Sequence, residues 1–252
     1  MRVGLAAMAV AVGAMMIGAP LDAPAATSTV KVLQLNICHS GVAGCYTGER
    51  VMTKAISVIS STRPQVVSVN EACSGDVERL RAAMGPASTM FVAAQRPAGN
   101  PVLCVNGQEY GNIIMVAADL AGGPGVSGRF TAQDSSTEMR AWACLPAGVL
   151  SACTTHLSAR DSSAAMAQCR ELLARAVSYA GTAPTVVAGD FNLRYQGNPN
   201  IQNCNPAGFY RKGDGSVQHV FATTSLAFVS TTRIDMSGTT DHPGWLVTVT
   251  RG

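Results

Sequence analysis

Six places in this chain set a polar side chain where an apolar run stops. Asn36 follows Thr29–Leu35, and Glu71 follows Val66-Val67-Ser68-Val69-Asn70. Asn112 precedes Ile113–Val116, and His156 follows a run ending at Thr155. Asp190 and Asn192 follow Val186-Val187-Ala188-Gly189, and Asp241-His242 stands just before Trp245–Thr250. Short runs rich in β-branched residues read as buried strands, and Gly189 lets the backbone turn sharply at the end of its strand. If these strand ends converge, one cleft holds three carboxylates, three amides and two imidazoles.

Such a set suits hydrolysis of a phosphate ester with a hard divalent cation. Mg²⁺ takes few protein oxygens, keeps several waters and binds substrate phosphate; Mn²⁺ or Ca²⁺ are the alternatives. Glu71 is then the direct metal ligand and Asn36 a neighbouring oxygen donor. Asp190 can orient and deprotonate an attacking water, while Asn192 holds that water or a phosphate oxygen. Asn112, His156 and His242 supply donors to the growing phosphoryl charge, and either histidine, if protonated, can act as general acid. Taken singly, each residue also has a plain structural role: Asn36 and Asn112 as turn formers, Glu71 as a helix-entry charge, His156 as a satisfied half-buried histidine, Asp241 as a cap.

The elements that must position these groups follow from periodicity. Strands are expected over Thr29–Leu35, Val66–Val69, Thr89–Ala94, Ile113–Val116, Met139–Leu145, Val149–Thr155, Val217–Ala222, Leu226–Thr231 and Trp245–Thr250. Helices are expected over Thr47–Ile59, with Thr47 as N-cap, over Asp76–Met84, and over Ser162–Ala180, which ends at Gly181. Ala121–Gly128 reads as a glycine-rich turn, and Arg96–Gln108 and Arg194–Gly215 as loops. Mixed sheets covered by helices bury this α+β pattern. A doubly wound parallel fold fits less well, because strand–helix alternation fails between Thr89 and Thr155.

Met1–Ala25 has the form of a secretory leader: Arg2, an apolar stretch from Leu5 to Gly18, then Ala23-Pro24-Ala25. That stretch is short against the ~20 residues of a membrane span. The expectation is a leader over 1–25, a single domain over 26–252, and a secreted, extracellular monomer without membrane insertion. A net charge of +3 permits an anionic partner without demanding one. The eight cysteines argue for disulfides in an exported chain, and their spacing is not that of a zinc site. Cys38–Cys45 closes a short loop; Cys73–Cys104 and Cys153–Cys169 are the next expected pairs, leaving Cys144–Cys204.

The ordered segments Leu-Gln-Leu-Asn36, Asn-Glu71, Tyr-Gly-Asn112, Thr-His156-Leu, Gly-Asp190-Phe-Asn192 and Asp241-His242 resemble the motifs of the endonuclease/exonuclease/phosphatase family, the DNase I-like group, in a secreted bacterial-type form. The resemblance runs from Val30 to Val249. It implies a four-layer α/β/β/α sandwich of two packed mixed sheets flanked by helices, and Mg²⁺-dependent phosphoester hydrolysis. It also implies Glu71 as metal ligand, Asp190 and Asn192 positioning the nucleophile, His156 and His242 on the scissile phosphate, and Asp241 beside the metal or His242. Two positions depart from the family pattern. Gln218 stands where an Asp orients the final histidine, and a neutral amide cannot stabilise an imidazolium as a carboxylate would. Val116-Ala117 replaces the usual Ser-Arg, which removes a phosphate-binding cation and leaves Arg194 or Arg211 to substitute. The leading expectation is a nuclease or phosphodiesterase with nucleic acid as substrate. The alternatives are a sphingomyelinase-like lipid phosphodiesterase and a catalytically weakened binding module.

Overall fold

The computed structural model describes residues 28–148 and 150–251, together with Met1 and Gly4. The expected leader and Val149 lie outside the described residues. Two six-stranded mixed sheets form the body. The first contains β1 (Ser28–Asn36), β2 (Val66–Cys73), β3 (Ala87–Ala93), β4 (Tyr110–Ala117), β11 (Leu226–Ile234) and β12 (Gly244–Arg251), in the order β11-β12-β1-β2-β4-β3. The second contains β5 (Val126–Arg129), β6 (Ala141–Ala147), β7 (Leu150–His156), β8 (Thr185–Asp190), β9 (Phe209–Gly213) and β10 (Gln218–Thr223), in the order β5-β6-β7-β8-β10-β9. Only β1/β2 and β7/β8 pair in parallel.

Alternation along the strands builds the layers. Val30 and Val32, Val66, Ile114 and Val116, Val186 and Ala188, Val220, Val247 and Val249 form one core between the sheets. Their neighbours Leu33, Leu35, Val67, Val69, Ile113 and Met115 face away, onto α1 (Glu49–Thr62) and α2 (Asp76–Met84). On the far side, Cys153, Val187 and Phe221 meet α3 (Ser162–Ala180) through Ala165, Cys169, Leu172 and Leu173. Three apolar layers thus separate helices, sheet, sheet and helix, the expected α/β/β/α sandwich.

Where the structure differs from expectation, the cause is local. Thr47 does not cap α1: its hydroxyl donates to Thr239 O at 2.6 Å, and Gly48 precedes the helix without a side-chain cap. Asp161 does cap α3, accepting from Ser163 N and Ala164 N. β5 falls inside the expected glycine-rich turn and β9 inside the expected long loop. Both are edge strands, which need bury no face and so carry no alternating signal. Cys38–Cys45 and Cys73–Cys104 pair as expected, but the other two pairs are Cys144–Cys153 and Cys169–Cys204. Cys144 and Cys153 stand directly opposite in the β6/β7 hairpin, and Cys169 ties α3 to the short 3₁₀ turn Ile201–Cys204.

Candidate active site

Following the inward-facing side chains along each strand locates the site. On β1 they run Val30, Val32, Gln34, Asn36; on β2, Val66, Ser68, Asn70; on β7, Ala152, Thr154, His156; on β8, Val186, Ala188, Asp190. Each strand passes from apolar to polar toward its C-terminal end. The oppositely directed β4 and β10 carry Asn112 and Gln218 at or near their starts, and His242 lies just before β12. Strand pairing brings these positions together: Asn36 stands opposite Asn70, and Asp190 opposite both His156 and Gln218.

Asn70 is the hub of this end and is fully buried. Its Nδ2 donates to Asn112 Oδ1 (2.9 Å) and Thr155 O (2.8 Å), and its Oδ1 accepts from Gln34 Nε2 (2.7 Å) and Asp190 N (2.8 Å). One amide therefore pins the first sheet to the backbone of Asp190 in the second. Ser68 adds a second tie, with hydroxyl contacts to Thr154 Oγ1 (2.6 Å) and Gln34 Oε1 (2.5 Å). Fully satisfied buried networks of this kind rigidify what they hold.

Glu71 and Asp190 share Asn36, whose Nδ2 donates to Glu71 Oε1 (2.8 Å) and Asp190 Oδ2 (3.1 Å). Asn36 is thus a bridge between two carboxylates through its Nδ2. Its Oδ1, the expected oxygen donor, accepts from Cys38 N (3.2 Å) and keeps a second lone pair; at Cys38 the chain turns away with a positive φ. Glu71 sits at a register shift between β2 and β4 with φ 57°, and Asn192 has φ 50°. Bulges and left-handed non-glycine residues re-aim side chains at a cost the surroundings must offset. Burial raises the pKa of both Glu71 and Asp190 above the ordinary carboxylate range, and Asp190 raises Glu71 further; Asn36 and His242 act in the opposite direction on each.

Asp190 Oδ1 accepts from Asn192 N (3.0 Å), while Asn192 Nδ2 donates to Leu157 O (2.9 Å). His242 Nε2 lies 3.6 Å from Asp190 Oδ2 and 3.5 Å from Asp241 Oδ1. Glu71, His156, Asp190, Asn192 and His242 line one cavity of about 400 Å³. The other predicted residues stand differently. Asn36, Asn112 and Asp241 are not among the cavity-lining residues; Asp241 is exposed and stands beside His242, one of its two expected places, while the carboxylate beside Glu71 is Asp190. Burial pushes the pKa of His156 well below the usual imidazole range, with Arg140 and His242 adding to the effect. That direction favours a neutral, N–H-donating ring over the expected general acid.

Gln218 does not hold the His242 ring either. Its Nε2 donates to Pro243 O (2.5 Å), and its Oε1 accepts from Gln34 Nε2 (3.3 Å). It positions the backbone after His242. Neither Arg194 nor Arg211 lines the cavity; Arg211 donates to His219 Nδ1 (2.9 Å) and lies over the Tyr195 ring. His219, with burial pushing its pKa to about 3, donates from Nε2 to Leu193 O (2.9 Å), bracing the loop after Asn192. The cations that line the cavity are Arg140 and Arg160. In sequence neither Arg140 nor Asn70 carries a signal of its own: the first falls inside the expected strand Met139–Leu145, and the second ends the run that leads to Glu71.

A sandwich whose strand ends converge on buried carboxylates, amides and histidines is the frame of a phosphoesterase-type protein. A sequence profile of the Endonuclease/Exonuclease/phosphatase family matches residues 34–242, and the chain belongs to that family. Its fold is similar to the human Nocturnin catalytic domain with bound sulfate anion (TM-score 0.70, 15% identity, 89% of this chain and 96% of that one). It is also similar to D. rerio TDP2 complexed with a single-strand DNA product (TM-score 0.68, 17% identity, 88% and 98%). A third similar structure is the Bacteroides thetaiotaomicron mannosyl-6-phosphatase (TM-score 0.65, 11% identity, 86% and 98%). No curated protein matches the sequence.

Proposed function

We propose that this protein is an exported, divalent-metal-dependent phosphodiesterase acting on nucleic acid, with Mg²⁺ as the natural cation. The observation that carries the proposal is the buried Glu71/Asp190 pair, two carboxylates of raised pKa sharing one amide hydrogen-bond donor. Like charges so placed are relieved by a cation, and Mg²⁺ needs only one or two carboxylates besides water and substrate oxygens. Of the two three-residue clusters of metal-ligand type among the described residues, one contains Glu71 itself, and each includes disulfide-bonded cysteine that has no thiolate to offer. When bound, the cation would be held by Glu71 with Asp190 facing it, and would polarise the phosphoryl group.

The chain's own residues supply the rest. Asp190 accepts the proton of the attacking water; its raised pKa makes it a better base than an exposed aspartate. Asn192 N and Asn36 Nδ2 fix its two oxygens. Neutral His156 donates to a phosphoryl oxygen, and His242, flanked by Asp190 and Asp241, stands beside the same cavity. Four disulfides accord with export to an oxidising compartment, and no described helix is long and apolar enough to cross a membrane. A lipid phosphodiesterase is the second reading. It is favoured by exposed Val42, Leu103 and Val105 on two disulfide-tied loops joined by Val105 N to Ser40 O.

The test is a panel of plasmid DNA, RNA, sphingomyelin and a chromogenic phosphodiester, each with Mg²⁺ or EDTA, on wild type and Asp190→Ala. Mg²⁺- and Asp190-dependent cleavage of nucleic acid is expected. Cleavage of sphingomyelin alone selects the lipid reading, and no Asp190-dependent turnover anywhere leaves a binding module.

A further inference from the structure

Arg140 immediately precedes β6, is 7% exposed, and lines the same cavity as Glu71, His156 and Asp190. Its guanidinium carries five N–H donors, yet none makes an aligned hydrogen bond among the described residues. Nη1 lies 2.8 Å from Glu138 Oε1 but off the hydrogen-bonding direction, and Nε and Nη1 are both sealed without a partner. His156, lining the same cavity, has a sealed Nδ1 that is also unpartnered. Buried charge is normally tolerated only when it is fully paired and hydrogen-bonded, and native structures leave few such donors idle. A buried guanidinium that lines the cavity, with Glu138 as its ion-pair partner among the described residues and with Nη2 neither sealed nor hydrogen-bonded, therefore points to an anionic ligand in the cavity. A planar guanidinium fork matches phosphate oxygens better than any other side chain.

We infer that Arg140 is the cation of a phosphate subsite, taking non-bridging phosphoryl oxygens of the substrate together with His156, while Glu138 holds the guanidinium until an anion displaces it. This rests on the phosphoesterase reading of the cavity. Arg140 reaches the cavity from the start of β6, whereas Val116-Ala117 closes β4 at the apolar end of the sandwich, so an arginine expected there would not face this cavity. Glu138 is then a competitor for the same donors, and removing its charge favours the anion.

Inorganic phosphate is the probe, titrated calorimetrically at saturating Mg²⁺ into wild type, Arg140→Gln, Arg140→Lys and Glu138→Gln, with a thermal melt on each. Phosphate binding is expected to weaken at least about tenfold in Arg140→Gln, a loss typical of one charge-assisted contact. It should recover partly in Arg140→Lys and tighten in Glu138→Gln. A merely structural ion pair would give the opposite sign for Glu138→Gln, since either partner's loss would loosen the wall. Wild type that binds no phosphate, Arg140→Gln that binds as wild type, or Glu138→Gln that binds more weakly overturns the inference. Should Arg140→Gln fail to fold, the signs for Arg140→Lys and Glu138→Gln decide it. Turnover is scored separately through Asp190→Ala. Arg140-dependent phosphate binding without turnover would sink the hydrolase and keep the subsite, and turnover with Arg140-independent binding would do the reverse.

Discussion

The layer between the two sheets has two ends made to different rules. At one end Val30, Val66, Val116, Val186, Val220 and Val249 pack without a polar atom. At the other, Gln34, Ser68, Asn70, Thr154, Gln218, Asn36 and Asp190 are as deeply buried, and they face each other across the same gap. The first end gains from apolar burial. The second forgoes that gain and must satisfy every donor and acceptor instead. What it obtains is a carboxylate, Asp190, held on one oxygen and through its backbone N–H by Asn36 and Asn70 of the first sheet, and on the other oxygen by Asn192 N in the loop after β8.

If the polar end is organised for chemistry at the expense of stability, Asp190→Asn should separate the two. Turnover should fall about 10²–10⁴-fold, the usual worth of a positioned general base. Stability should move the other way. Burial raises the pKa of Asp190, so the folded state binds its proton more tightly than the unfolded chain does, and ionised Asp190 weakens the fold above that raised pKa. The asparagine variant should therefore melt higher at pH 7, by about 2–4 °C for each kcal/mol regained. The advantage should vanish as the pH falls below the ordinary carboxylate range. A lower melting temperature at pH 7 would contradict the trade-off.

Asn70→Ala tests whether the network, as opposed to the carboxylate alone, is the organising feature. It removes the partner of Asp190 N and Asn112 Oδ1, a donor to Thr155 O, and one of three acceptors of Gln34 Nε2. Each unsatisfied buried group costs about 1–3 kcal/mol unless water enters. Misplacing Asp190 by a fraction of an ångström should cost turnover up to about 10²-fold. Both stability and turnover should fall here, unlike in Asp190→Asn. The apolar end supplies the contrast: Val116→Ala should lose stability, by about 1–3 kcal/mol read from denaturant melts, with turnover per folded molecule unchanged.

The contrast between the two ends also explains what the sequence made legible. Period-two apolar runs gave the strands, and the polar residue closing each run gave Asn36, Glu71, Asn112, His156 and Asp190, because a buried strand stopping at a polar group is a local signal. Gln34, Ser68, Asn70 and Thr154 carry no such signal. A polar residue inside an apolar strand is explained only by its partner on the other sheet, and that partner is many residues away. Arg140 escaped for the same reason, as did the Cys144–Cys153 pairing, which depends on hairpin register. The expected edge-strand failures at β5 and β9 are different in kind: those segments bury too little to imprint a pattern.

Gln218 is where the comparison is finest, since it lies at the polar end yet touches no charged group of the cavity directly. From its sequence position, restoring an aspartate should repair an active site missing its histidine partner. The geometry predicts otherwise. Gln218 Nε2 is a donor, and what it holds is the carbonyl of Pro243, the residue after His242. A carboxylate at 218 is shorter, has no N–H to give, and would face Pro243 O with like partial charge while adding a third acid near Asp190. Gln218→Asp should therefore lose about 1 kcal/mol of stability, the worth of one buried hydrogen bond. Turnover should stay flat or fall by a few-fold, with no shift in the acidic limb of its pH profile. Gln218→Glu, which keeps the length but not the donor, should behave alike. A rise in turnover for either variant would mean that the side chain at 218 does serve the His242 ring, and that the polar end is one residue more catalytic and one residue less structural than its hydrogen bonds imply.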